Sequence, residues 1–187
     1  MLARLIVGIS GASGVVYGAR LLELLRPLPV ETHLVMTRSA QITLAHETKY
    51  KVAQVQSLAD YYYGPDDIAA AISSGSFRTK GMIVAPCSMR SLSEIAYGNA
   101  THLLTRAADV VLKERRPLVL LPRETPLHLG HLRAMTAATE AGAIIAPPLP
   151  AFYARPESVM DIVDYTLARA MDLFAIDLKT ANRWKGG

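Results

Sequence analysis

Arg4-Leu-Ile-Val-Gly-Ile-Ser10-Gly-Ala-Ser13-Gly14, running on into residues 15–26, decides the fold. An apolar, β-branched run ends in a turn of glycines and serines, and helical periodicity follows at once. A parallel α/β sheet begins this way when its first turn holds a phosphate. Small residues let the backbone approach the anion, the N–H groups and positive end of the new helix point at it, and a Ser hydroxyl adds a donor. Ser10 and Ser13 interrupt the G-x-G-x-x-G dinucleotide pattern, so a mononucleotide fits at least as well as NAD. The same residues also read as a plain tight turn with Ser capping the helix.

Beyond this turn the chain alternates strand and helix. Strands are expected over 4–9, 32–36, 81–86, 118–121 and 143–146. Helices are expected over 15–25, 39–47, 66–73, 88–97, 102–114, 130–141 and 157–174. Such alternation predicts an α/β fold with a mainly parallel sheet. Residues 51–64 are the least regular stretch, and Tyr61-Tyr62-Tyr63 within it suits packing on a neighbouring subunit. No linker divides the chain, so one domain is expected over 1–187.

Composition narrows the function. Hydrophobic residues make up 51% of the 187 and mean hydropathy is +0.22. No apolar run approaches the roughly 20 residues of a membrane span. Buried strands, helices on both sheet faces and subunit interfaces account for the excess. The net charge of +4 comes from scattered Lys and Arg, which favours small phosphorylated ligands over a nucleic-acid surface. With one cysteine, Cys87, there is no intrachain disulfide framework. That fits a reducing cytoplasm, as does an N-terminus without a secretory signal pattern.

Ligands of open α/β sheets bind outside the carboxyl ends of the strands. The segments expected there are 10–14, Thr37-Arg38-Ser39, Cys87-Ser88-Met89-Arg90-Ser91, Arg123-Glu124-Thr125-Pro126 and 147–153. Four of the five are rich in hydroxyls, guanidinium groups or both. Ser88 reads as a helix cap whose following N–H groups face a ligand, or as a cap alone. No base stands near Cys87 in sequence, which favours a buried structural thiol over a nucleophile. Arg106, Asp109 and Lys113 share one helix face, either as a solvated surface or flanking an anion. Arg123 is placed to fork onto a phosphate, and Glu124 to move a proton or orient a lysine. His128-x-x-His131 lacks a third ligand at metal spacing.

Taken together, these segments resemble the flavin prenyltransferases, the UbiX/Pad family once described as aromatic acid decarboxylases. The resemblance rests on 7–14, Pro86-Cys-Ser88, the long block from Arg106 to Val119, Pro122-Arg-Glu-Thr-Pro126 and 148–153, and extends from about residue 3 to Trp184. It implies a Rossmann-like three-layer α/β/α sandwich, assembled as a dodecamer with active sites between subunits. The implied reaction joins a dimethylallyl group, from dimethylallyl monophosphate, to N5 and C6 of reduced FMN, without a metal. The prenylated FMN then serves a UbiD-type decarboxylase.

The resemblance also implies residue roles. Gly11, Ala12, Ser13, Thr37, Ser88, Met89, Arg90, Ser91 and Arg123 would hold FMN. Thr37 stands where the family usually has Ser, and Ser91 where it has Thr. Arg106, Lys113, Tyr153, Arg169 and Trp184 would surround the prenyl phosphate, with Glu124 beside them. Glu47 would relay protons with Ser13. Three other readings compete: an FMN-dependent cysteine decarboxylase of the same fold, a non-catalytic FMN carrier for a decarboxylase, and direct aromatic-acid decarboxylation. The segment 86–91 lacks the Asn expected of the cysteine decarboxylases.

Overall fold

Strands buried on both faces need apolar side chains at every position, and the burial of this sheet follows that rule. The computed structural model describes residues 2–179. Its strands are β1 (Ala3–Ile9), β2 (Val30–Met36), β3 (Tyr61–Tyr63), β4 (Met82–Cys87), β5 (Leu118–Pro122) and β6 (Ala143–Ile145). They form one sheet in the order β3-β2-β1-β4-β5-β6, with every neighbouring pair parallel. The helices are α1 (Val16–Leu25), α2 (Arg38–Glu47), α3 (Val52–Gln56), α4 (Met89–Ala96), α5 (Leu103–Lys113), α6 (Leu129–Glu140) and α7 (Val159–Asp172).

Side chains alternate across a strand, and β1 uses both faces. Leu5, Val7 and Ile9 pack with Leu21, Leu22 and Leu25 of α1 and with Val163 and Leu167 of α7. Ile6 faces the other way, toward a cluster containing Leu92 of α4, Leu103 and Ala107 of α5, and Ala134 of α6. Two separate cores on one sheet make the three layers. Each fully buried Leu or Ile contributes about 1.5–3 kcal/mol. The strand order reverses direction at β1, which lies between β2 and β4. That reversal leaves a crevice above the carboxyl ends of β1 and β4, where ligands of this architecture bind.

Two expected elements differ. Residues 51–64 are ordered as α3 and β3, and the three tyrosines form the sheet edge, with Tyr61 opposite His33. His33 draws them there: its ring stacks on Tyr61 and its Nδ1 meets the Tyr63 hydroxyl at 3.0 Å. The helix expected over 66–73 shrinks to one 3₁₀ turn, Ala71–Ser73. Consecutive turns closed by Asp67 N–H to Gly64 O and Ala70 N–H to Asp67 O use the backbone groups a helix would need. Ile72 alone is buried from that 3₁₀ turn.

Candidate active site

The first turn and the turn after β4 are tied at the switch point. Ser10 is fully buried; its Oγ donates to Pro86 O at 3.1 Å and accepts from Ser88 N–H at 2.7 Å. Gly11 lies so close to α2 that an added Cβ would stand 2.3 Å from Ser39 Oγ. Gly14, at φ +96°, turns its N–H toward the end of α2. There Glu47 Oε2 accepts from Gly14 N–H at 2.8 Å and from Val15 N–H at 3.3 Å.

The Ser cap expected for α1 is absent; where α1 begins, the N–H groups of Gly14 and Val15 are held by a carboxylate of the same chain instead. Glu47 thus reaches the backbone next to Ser13, which is exposed.

A polar cleft of about 430 Å3 opens beside this turn. Thr37, Ser39, Ser88, Ser91, Arg90 and His102 are among its lining residues. Two helices begin at its wall. Thr37 Oγ1 caps α2 by accepting from Ala40 N–H at 3.1 Å and lies 3.0 Å from Ser39 Oγ. Ser88 Oγ caps α4 by accepting from Ser91 N–H at 3.2 Å and donates to Ser91 Oγ at 3.1 Å. Positive helix ends, hydroxyls and the guanidinium groups of Arg38 and Arg90 form a donor set suited to a phosphorylated ligand.

Glu94 organises one wall of the cleft. Arg90 Nε donates to it at 2.9 Å, Thr101 Oγ1 donates to it at 2.8 Å, and His102 Nε2 stands 3.5 Å away. Burial holds the His102 imidazole below its ordinary pKa, with Glu94 pulling the other way. Arg38 is turned to Asp66, at 2.5 Å.

The ends of β5 and β6 carry a second group. Arg123 follows β5 and its N–H donates to Cys87 O at 3.3 Å. Its side chain is exposed and acts electrostatically on Tyr17 of α1, which stands against Thr166 of α7. Burial holds the Tyr17 phenol above its ordinary pKa. Glu124 Oε1 accepts from Thr125 N–H at 3.1 Å. A small cavity of about 160 Å3, mostly apolar, is lined by Leu121, Ala146, Leu149, Tyr165, Thr166 and Arg169, among others. Arg169 pairs with Asp172 at 2.5 Å. The Tyr153 and Tyr165 hydroxyls bond each other, their rings edge to face.

The structure does not gather every expected residue within one chain. Arg106 pairs with Asp109 at 2.8 Å on the exposed side of α5. Lys113 ends α5 and pairs with Glu114 at 2.6 Å, beside Gly75. Five residues later β5 begins, opposite the first residue of β4, so Lys113 sits at the amino-terminal edge of the sheet, away from the turns. Trp184 lies outside the described residues. Cys87 is fully buried, and burial drives its thiol far above the ordinary range, which suits a packing role. No group of three metal-ligating residues occurs among the described residues, and none of the helices they form is long and apolar enough to cross a membrane.

Sequence reading assigned no site role to His102, Tyr17 or Tyr165, and singled out Ser39 only as part of the hydroxyl-rich segment after β2. Tyr165 was visible in the helical spacing, four residues before Arg169 and hence on its face. Nothing local in the sequence marks Tyr17 or His102.

The fold has close counterparts. A family model described as Flavoprotein matches residues 2–171. The flavin prenyltransferase UbiX of Escherichia coli (strain K12) is 59% identical over 186 residues, covering 98% of both chains. A crystal structure of AnUbiX (PadA1) in complex with FMN and dimethylallyl pyrophosphate superposes with a TM-score of 0.98, at 49% identity and 100% coverage of both chains. A dodecameric FMN-dependent UbiX-like decarboxylase from Escherichia coli O157:H7 superposes with a TM-score of 0.95, at 53% identity, covering 98% of this chain and 100% of the other. The chain belongs to the UbiX flavin prenyltransferase family of flavoproteins.

Proposed function

We propose that the chain, as one domain over residues 1–187, transfers a dimethylallyl group from dimethylallyl monophosphate to N5 and C6 of reduced FMN. One observation carries the reading: a polar, hydroxyl-lined cleft and a small apolar cavity with Arg169 in its wall open along the same carboxyl edge of the sheet. The first suits the FMN phosphate and ribityl chain, held by Thr37, Ser88, Met89, Arg90 and Ser91. The second suits a five-carbon prenyl chain. In the strand order the turn Gly11-Ala12-Ser13 lies between the two sides of the cleft, and Arg123 follows β5, whose Leu121 lines the cavity.

FMN supplies the nucleophilic ring positions; the chain supplies charge and proton handling. Breaking the allylic C–O bond leaves negative charge on phosphate. Arg169, Arg106, Lys113 and the Tyr153 hydroxyl stabilise it, and Glu124 orients Lys113. Trp184 flanks the prenyl fragment. Ring closure releases a proton from a flavin carbon, and Glu47 takes it through Ser13.

Because Lys113 lies at the far edge of its own sheet, it enters such a site only from a second copy. Exposed Leu127, Leu129, Leu132, Leu149 and Phe152 provide apolar surface for a homo-oligomer, in keeping with the dodecameric relative. The product passes to a UbiD-type decarboxylase in the cytoplasm.

The test is anaerobic incubation with reduced FMN and either the monophosphate or the diphosphate donor, followed by mass spectrometry of the released flavin. A gain of one C5H8 unit, faster with the monophosphate, is expected. Bound but unchanged flavin with both donors would overturn the reading. A faster reaction with the diphosphate would reassign the donor.

A further inference from the structure

α7 carries Tyr165 and Arg169, yet it is distant in sequence from the turn where prenylation is proposed. Two side-chain contacts with α1 fix it there. Tyr17 of α1 stands against Thr166, whose hydroxyl donates to Ile162 O at 2.8 Å. The stronger contact is a fork: Arg20 Nε and Nη2 each meet one oxygen of Asp164 at 2.8 Å. Arg20 Nη1 also donates to Glu23 at 2.9 Å, and Glu23 accepts from the Tyr50 hydroxyl. Tyr50 lies three residues beyond Glu47. One guanidinium therefore stands between the segment that follows Glu47 and the helix that carries Arg169.

The group is semi-buried, with side-chain exposures of 30% for Arg20 and 18% for Asp164. A bidentate pair of this kind fixes orientation as well as distance. Asp164 immediately precedes Tyr165, and Arg169 is four residues beyond Tyr165 on the same face. A rotation of α7 about its axis would swing both away from the cavity they line.

We propose that Arg20 is a positioning residue for the prenyl donor: by clamping Asp164 and Glu23 it holds the Tyr165–Arg169 face of α7 in register with the Glu47–Ser13 turn. This rests on the donor reading above. Arg20→Met keeps the apolar stem and Asp164→Asn keeps the shape, so both test the fork without a large packing change.

The experiment measures the donor KM and FMN Kd of both single variants and the double variant, together with hydrogen exchange of α7 amides. The expected result is a donor KM raised about tenfold in each single variant, as for loss of a positioning contact, with FMN Kd unchanged. The double variant should be no worse than the weaker single. Equal losses of donor and FMN binding, additive effects in the double variant, or an unchanged donor KM would each overturn the proposal. If the wild-type protein binds FMN and does not prenylate it, the donor reading fails on its own. Exchange then decides the clamp: faster exchange in α7 but not α1 of Asp164→Asn supports it, and unchanged exchange overturns it.

Discussion

At the end of β1, the turn over residues 10–14 closes on Glu47, which accepts from Gly14 N–H and from Val15 N–H just beyond it, whereas at the end of β4 the turn over 86–91 starts a helix at the wall of an open polar cleft. The two are alike in composition, small and rich in serine, and Ser10 joins them directly. Their roles differ because an acid of the chain reaches one and not the other. A glycine–serine turn states that an anion fits; what else folds against it states which anion. In this protein the α1 end of the first turn is closed by Glu47, and the second turn opens on a polar cleft.

Glu47→Gln is the sharpest way to break the contrast. The amide oxygen still accepts from Gly14 and Val15 but takes no proton. Formation of the four-ring flavin should fall by about 10²–10⁴-fold, with FMN affinity and Tm preserved; an unchanged rate would leave Glu47 as a cap alone. Gly11→Ala strikes the packing of the first turn. Its Cβ would meet Ser39 Cβ at 2.4 Å, a crowding that costs about 1–3 kcal/mol. A lowered Tm in thermal denaturation, restored by adding Ser39→Gly, would verify the contact.

Ser88→Ala strikes the second turn. Loss of the α4 cap should cost about 1 kcal/mol, and FMN should lose affinity while riboflavin, which lacks the phosphate, does not. Equal losses for both ligands would move the phosphate elsewhere. The mildest expected effect is on pH. His102 in the cleft wall and His33 at the sheet edge both have folded pKa values depressed by burial. The unfolded chain, near 6.5, then binds protons first as pH falls. Their contribution to stability is full above about 6.5 and lost below it, toward the folded values. Urea titrations at pH 8 and pH 5 should show the decline, and His102→Asn should flatten part of it. An identical slope in the variant would assign the effect to His33.

Much of the fold was legible. The β-branched runs located β1, β2, β4, β5 and β6 within two residues at either end, because a strand buried on both faces has little choice of side chain. β3 escaped notice because three tyrosines in a polar setting gain strand character from a pairing with β2 that begins at His33, 28 residues before Tyr61. In the site, the hydroxyls of Thr37, Ser88 and Ser91 followed from their place after strands. Glu47 came from family resemblance, since no spacing links it to Gly14. Helical phase put Arg106 and Lys113 on one face, yet phase carries no information about which edge of the sheet a helix end reaches. The Arg20–Asp164 fork spans 144 residues and has no local signature at all.

The sheet ends at both sides in strands of three residues, β3 and β6, while the interior strands β1 and β2 run to seven. An outer strand is where a second chain adds by backbone pairing, the first step toward fibrous aggregates. Here each border exposes so few unpaired amides that it makes a poor template.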